Sequence, residues 1–239
     1  MDGFLLIDKP AGMTSHDVVD RLRRVTGERR IGHAGTLDPF ATGLLILGIG
    51  KATKKLGDLV GLDKSYEATL VLGATSDTFD KEGIITPLLA KERGRGEVPP
   101  DRSDIDRVLD KFRGEYDQLT PLFSAKKLHG KKLYELARAG TATEEMRPVK
   151  RVKISKLEAG EYAWPKLRLT IDCSSGTYIR SLADDIGREL GVGAYVDALR
   201  RTSIGPFTVK DALPLPDLTP EVIHKHLLPT NASAPNPAP

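Results

Sequence analysis

A single cysteine, Cys173, stands among 239 residues, so no disulfide framework can form within the chain, which fits a reducing cytoplasm. Long apolar runs are missing as well: nothing approaches the ~20 residues needed to span a bilayer. The segment Met1 to Pro10 lacks a basic stretch, and its apolar run is too short for a secretory signal. The five histidines (His16, His33, His129, His224, His226) are scattered, and no cysteine or carboxylate cluster has ligand spacing, which argues against metal catalysis. His224 and His226 read as the surface of a C-terminal helix. Nucleotide-binding glycine motifs are absent too. Gly43 and Gly48 have the separation of a phosphate loop, but Ile49 stands where the lysine is required. No Gly-x-Gly-x-x-Gly follows a strand, and no Gly-x-Ser-x-Gly marks a nucleophile elbow.

What is present is an ordinary globular composition, 39% hydrophobic and 29% charged, enough for a proper core and against wholesale disorder. The net charge of +3 says little alone. Its distribution says more: from Lys126 to Lys156, seven lysines and three arginines face three glutamates. Such a stretch attracts phosphates and releases counterions, although a solvated face explains it equally well.

Periodicity organises the chain. Phe4 to Ile7 reads as a short buried strand ending at a turn, Asp8 to Gly12. Val18, Val19, Leu22 and Val25 fall at helical spacing and predict a helix over 15–26, stopped by Gly27. Leu44 to Leu47 predicts a strand, and a short helix covers 52–60. Tyr66, Ala68, Leu70 and Leu72 alternate as in a half-buried strand. Residues 91–101, charged and rich in Gly and Pro, predict a surface loop; Ile105, Val108, Leu109 and Phe112 predict a helix over 103–112. Beyond lie a short helix at 131–139, strands at 149–162 and 167–173, and helices at 177–190 and 194–200. Prolines punctuate the end, with room for one helix at 220–227 and a disordered tail over 229–239. The pattern is mixed α+β without a regular βαβ repeat.

One stretch has no periodicity: Gly32-His33-Ala34-Gly35-Thr36-Leu37-Asp38-Pro39-Phe40-Ala41-Thr42-Gly43. Glycines permit left-handed backbone and close approach, and Pro39 pushes Asp38 toward an extended conformation. A carboxylate is thus held between glycines that leave room for a ligand. On spacing alone, a surface Asp-Pro turn accounts for it as well.

The stretch resembles the catalytic motif of bacterial tRNA pseudouridine-55 synthases, the TruB family. Five further segments resemble motifs of that family: Lys9-Pro10-x-Gly12-x-Thr14-Ser15; Lys64-x-Tyr66 with Gly73 to Thr78; Pro121-x-x-Ser124-Ala125-x-Lys127 with Gly130, Tyr134, Ala137-Arg138 and Gly140; Ser175 to Leu182; and Leu199 to Thr202. The matches run in order from Lys9 to Thr202. The resemblance implies a pseudouridine synthase fold, α+β with a mixed, mainly antiparallel sheet flanked by helices and loops and an active site in a central cleft. It implies a catalytic domain over 1–213 with an RNA-contacting insertion near 120–148. A short helical extension follows at 214–228, too small for the C-terminal PUA domain of many relatives.

By the same resemblance Asp38 is the catalytic carboxylate, Arg180 its cationic partner and Tyr66 the ring against the target base. Desolvation raises the pKa of a buried carboxylate and a neighbouring cation lowers it. Lys9 supports the active-site loop, His33 fills the space that a flipped base vacates, and Tyr178 and Leu199 lie near the aspartate and the base. Lys126, Lys127, Lys131, Lys132, Arg138, Arg200 and Arg201 are candidate phosphate contacts. No cofactor and no metal are implied. The implied partner is the T-loop and T-stem of tRNA, with no membrane, no obligatory protein partner, a monomeric state and a cytoplasmic location. Two rival readings are the same chemistry on another RNA, and a tRNA-binding folding factor in which catalysis is secondary.

Overall fold

A computed structural model of the chain describes residues 1–88, 98–124, 126–128 and 130–230, without the side chains of 127, 128, 132 and 144. Most of the expected 91–101 loop and of the 229–239 tail therefore lies outside the described residues. The chain forms two compact units, one made of Met1–Glu67 and the chain from Leu199 onward, the other of Ala68–Ala198.

In chain order the first unit contains β1 (Gly3–Lys9), α1 (Ser15–Thr26), β2 (Ile31–His33), β3 (Thr42–Ile49), a 3-10 turn at Gly50–Lys55, α2 (Leu56–Val60) and the start of β4 (Lys64–Leu72). The second holds the rest of β4, then β5 (Ala74–Ser76), β6 (Ile85–Pro87), α3 (Arg102–Asp110), β7 (Gly114–Leu119), β8 (Lys127–Leu128), β9 (Lys131–Lys132), α4 (Leu133–Arg138), β10 (Val149–Ala163), β11 (Lys166–Cys173) and α5 (Ile179–Glu189). β12 (Ala194–Ile204) leads back to the first unit, which closes with β13 (Phe207–Thr208), β14 (Leu213–Pro214) and α6 (Pro220–His226).

Within the first unit the strand order is β14-β1-β3-β12. β1 runs antiparallel to β3, from Gly3 opposite Ile49 to Lys9 opposite Gly43. β3 is also paired in parallel with β12, Arg200 opposite Thr42 and Arg201 opposite Gly43. Both faces of this sheet are covered. Leu5, Ile7, Leu45 and Leu47 point into one cluster with Val18, Val19 and Leu22 of α1 and with Leu215, Leu218 and Ile223. Phe4, Leu6, Leu44 and Ile46 point into another with Ala52, Leu56, Ile204 and Phe207. Two-sided burial explains why β1 and β3 read as continuous apolar runs rather than as alternation. The C-terminal extension is thus core: Ile223 is 0% exposed, and Leu228 exchanges backbone hydrogen bonds with Phe4, 2.8 Å each way.

In the second unit the order is β4-β11-β10-β7. β11 alternates buried and exposed along its length, as its sequence does. Helix ends obey local chemistry. Thr14 caps α1 in a capping box with Asp17, and Gly27 ends it at φ 72°. Asp101 and Asp104 cap α3 in the same way.

One expectation fails. Residues 194–200, read as a short helix, form the first part of β12. A place in the sheet between β3 and β4, with Ala194, Val196 and Leu199 buried, outweighs the modest helix preference of Ala, Leu and Arg. The helix expected over 131–139 also begins later, because 131 and 132 pair with 127 and 128 in a small hairpin. Among the described residues no helix is long and apolar enough to cross a membrane.

If the extension is core, Ile223→Ala destabilises the whole protein by about 2–5 kcal/mol. Chemical denaturation is expected to show one lower midpoint with an unchanged slope. A loss confined to α6 contradicts this.

Candidate active site

Asp38 sits in the irregular stretch between β2 and β3. The backbone there leaves the sheet, so its polar groups need other partners. Side chains supply them. The Ser15 hydroxyl, at the start of α1, accepts from the Leu37 amide at 2.9 Å and donates to the Leu37 carbonyl at 3.3 Å. On the other side of Asp38, the Pro39 carbonyl accepts from the Gly12 amide at 2.8 Å and from Lys9 Nζ at 3.3 Å. The Asp38 carbonyl itself accepts from the Ala41 amide at 3.1 Å. Lys9 is 0% exposed and also donates to the carbonyls of Pro10 (2.9 Å) and Met13 (2.7 Å). It thereby ties the Pro39 carbonyl to the turn after β1.

Arg201 makes the same kind of support from β12. Its Nε donates to the Leu44 carbonyl at 2.8 Å, Nη2 to Gly35 at 3.1 Å and Nη1 to Thr36 at 3.5 Å. It is 1% exposed, so the expectation of a phosphate contact is corrected: a guanidinium enclosed by backbone carbonyls serves the loop. Two glycines make this packing possible. A Cβ on Gly43, at φ 103°, would lie 2.2 Å from the Arg201 carbonyl. One on Gly35, at φ 87°, would be in contact with Arg201 Nη1 and Lys64 Cε. Lys64 is buried and donates to the Val60 and Leu62 carbonyls.

Arg200, the next residue along β12, points the other way. Its guanidinium grips Asp8 in a two-pronged pair at 3.0 and 2.7 Å, and at 37% exposure it stays open to solvent on one side. His33, on β2, has a buried Nδ1 without a hydrogen-bond partner. Burial, with the charges of Arg201 and His16 adding to it, holds its pKa below the usual histidine value. Tyr66 on β4 and Leu199 on β12 are both buried, each 7% exposed.

The other expected residues belong to the second unit. Arg180 lies in the first turn of α5 and is 5% exposed. Its Nη1 is 3.2 Å from Asp80 Oδ2 and donates to the Thr78 carbonyl at 2.8 Å, while Nη2 donates to the Phe123 carbonyl at 2.9 Å. Asp80 is equally buried, and Thr78 Oγ1 and the Glu82 amide donate to its Oδ1 at 2.7 and 2.9 Å. Tyr178 stands at the N-cap position of α5, and Gln118 holds its backbone in a reciprocal pair: the Tyr178 amide donates to Gln118 Oε1 at 2.8 Å and its carbonyl accepts from Gln118 Nε2 at 3.0 Å. Lys126, Lys131 and Arg138 are exposed, with Arg138 5.6 Å above the Tyr134 ring. The side chains of Lys127 and Lys132 lie outside the described residues.

Sequence reasoning missed Asp80, Ser15, the supporting role of Arg201, and Phe79 with Arg147. Phe79 is the one described non-glycine residue with positive φ, 63°, a conformation costing on the order of 1 kcal/mol that neighbours must enforce. Ser15 ends the motif that begins at Lys9, without a role assigned to it; the others carry no local signal, because their partners are distant in sequence. On α5, Asp185 is pushed up to about 6 by burial and then by the charge of Asp184, against Arg188 and Arg147. Tyr116 is raised above its ordinary value by burial and by Asp185.

Three comparisons bear on this arrangement. A family model described as TruB family pseudouridylate synthase (N terminal domain) matches residues 23–179. A second, described as tRNA pseudouridylate synthase B C-terminal domain, matches residues 180–232. The chain is 47% identical over 215 residues to a tRNA pseudouridine synthase B of Azoarcus sp. (strain BH72), covering 90% of this chain and 69% of that one. It is 45% identical over 230 residues to the protein of that name in Mycobacterium sp. (strain KMS), covering 95% and 75%. In structure it is similar to a chain of a Cbf5–Nop10–Gar1 complex, with TM-score 0.72 and 30% identity, covering 95% of this chain and 60% of that one.

Two outcomes are expected. Arg201→Met leaves three carbonyls short of a donor and lowers stability by about 1–3 kcal/mol; thermal unfolding checks it, and an unchanged midpoint shows the support to be dispensable. For Asp185, whose folded pKa is raised, the stabilising contribution of the protonated form is complete below pH ~4 and lost as pH rises through ~6. Asp185→Asn therefore matches the wild type near pH 4. It exceeds the wild type at pH 7 by on the order of 1 kcal/mol, allowing for partial solvent screening. Denaturant titrations at the two pH values decide it.

Proposed function

The chain belongs to the TruB family of pseudouridylate synthases, and we propose that it isomerises the T-loop uridine at position 55 of tRNA, with Asp38 as the catalytic carboxylate. The reaction breaks the bond from C1′ to N1, turns the uracil and joins C5 to C1′; the C5 proton is released to solvent and N1 takes up one proton. The sum is redox-neutral and adds no atoms. The ribose passes through an electron-poor state at C1′, and a carboxylate answers it by attack at C1′, by stabilising the charge or by removing a ribose proton.

The observation that carries this reading is the way the Asp38 loop is built. Leu37 before it and Pro39 after it are each tied by side chains, and Gly35 and Thr36 are tied by Arg201. A group meant to act on one ribose carbon has to be held to a fraction of an ångström. Carbonyls bonded to buried cations give that rigidity, whereas a surface turn needs none of it. The pairing of Asp38 with Arg180 is part of the proposal. The guanidinium of Arg180 is already aligned by Asp80 and two carbonyls, so little entropy is lost when it meets a second carboxylate or the substrate.

The target base has to leave its stack, at a cost of a few kcal/mol. Tyr66 offers a ring face to the extruded uracil and a hydroxyl for the C5 proton. His33, kept neutral by burial and by Arg201, fills the gap left in the RNA loop without adding charge. Lys126, Lys131 and Arg138 are exposed and take phosphates of the T-stem, as Arg200 does on the free side of its pair with Asp8.

The test uses T-loop tRNA labelled with tritium at C5 of uridine. Wild type is expected to release tritium and Asp38→Asn to release none, while both bind the RNA alike. Binding without release by either protein sinks the reading for this substrate, moving weight to another RNA target or to a tRNA-folding role.

A further inference from the structure

Arg147 is a buried arginine, 6% exposed, at the far end of the 120–148 segment. Its Nε donates to the Thr120 carbonyl at 2.9 Å and its Nη2 reaches the Leu119 carbonyl at 3.5 Å. The Thr120 amide in turn donates to the Pro148 carbonyl at 2.9 Å. The two ends of the segment are thus pinned where it leaves β7 and enters β10.

The same guanidinium lies 5.1 Å from the centroid of the Phe79 ring, within the range of a cation–π contact. Phe79 is the residue held at positive φ, and Asp80 follows it. Asp80 pairs with Arg180 at 3.2 Å. Arg180 returns to the segment through the Phe123 carbonyl, and its neighbour Ser181 donates to the Leu119 carbonyl at 2.8 Å. The contacts close a ring: Arg147, Phe79, Asp80, Arg180, Phe123, and back through Thr120 to Arg147.

We propose that Arg147 is a positioning residue for the isomerisation, clamping the base of the 120–148 segment onto the Phe79 turn so that Asp80 holds Arg180 in place. The broad guanidinium is what the task requires: its N–H groups meet two carbonyls while its central carbon lies over a ring, and a lysine ammonium, a compact point charge, cannot do both. The clamp also joins the ends of the proposed RNA-contacting segment to the Arg180–Asp80 pair. The inference rests on the proposed role of Arg180 in the reaction.

The test is a double-mutant cycle in tritium release from C5-labelled T-loop tRNA, on the full chain. Arg147→Met is expected to lower kcat by about tenfold or more, with KM changed by no more than about threefold. Arg147→Lys, which keeps the charge and loses the fork and face, is expected to fall with it. In an Asp80→Asn background, Arg147→Met is expected to cost no further activity, because its effect runs through that carboxylate. Phe79→Leu serves as the partner substitution if Asp80→Asn releases no tritium. A loss from Arg147→Met that is equally large in the second background overturns the clamp, as does wild-type kcat in Arg147→Lys. A merely structural arginine lowers the unfolding midpoint and gives the additive result. Absence of release by the wild type is a different failure, that of the proposed function itself.

Discussion

A loop that leaves the sheet leaves backbone carbonyls without ladder partners, and buried cations answer them. Everything around Asp38 depends on that exchange. Lys9 from β1 and Arg201 from β12 reach the loop from two sides, and each gives up most of its hydration to do so, a cost of several kcal/mol per ion when unpaired. Several short bonds to carbonyls offset the cost. The result is a loop whose shape is over-determined, with the carboxylate at its middle. Ser15 adds a smaller version of the same device, since one hydroxyl serves both the amide and the carbonyl of Leu37.

The second unit solves a related problem differently. Arg180 and Asp80 are both buried, so each charge needs the other, and removing either leaves an uncompensated ion. Thr78, Glu82 and Phe123 satisfy the remaining donors and acceptors. Such a pair is poor evidence of stability but good evidence of orientation. Both units therefore place charge where it is costly, and in both the return is a side chain that cannot wander.

The C-terminal segment shows how length misleads. Some thirty residues, rich in proline, read as an appendage too small for a domain. Within the described part, Leu215, Leu218 and Ile223 belong to the first unit's core, in one cluster with residues of α1 and β3. Pro214, Pro216 and Pro220 punctuate the segment, which forms β14, a 3-10 turn at Leu215–Asp217 and α6. Apolar residues between prolines have to be buried somewhere, and the open face of β1 and β3 is the place within reach.

Local chemistry determined what the sequence alone revealed. The capping box of Thr14 and Asp17, the stop at Gly27, the alternation on β4 and β11, and the glycine-rich stretch around Asp38 all depend on neighbours a few residues away. They were legible for that reason, and the ordered motifs from Lys9 to Thr202 carried the candidate site with them. Only the tertiary structure decided the rest. The carbonyls that claim Arg201 lie 157 and 166 residues away, and those that bind Arg180 lie 102 and 57 residues away. A basic residue on a strand reads the same whether it faces phosphate or a buried carbonyl; burial separates Arg201 from Arg200, and no periodicity reports it. Residues 194–200 follow the same rule. Their helix preference is worth a few tenths of a kcal/mol per residue, and neighbouring strands in the sheet outweigh it.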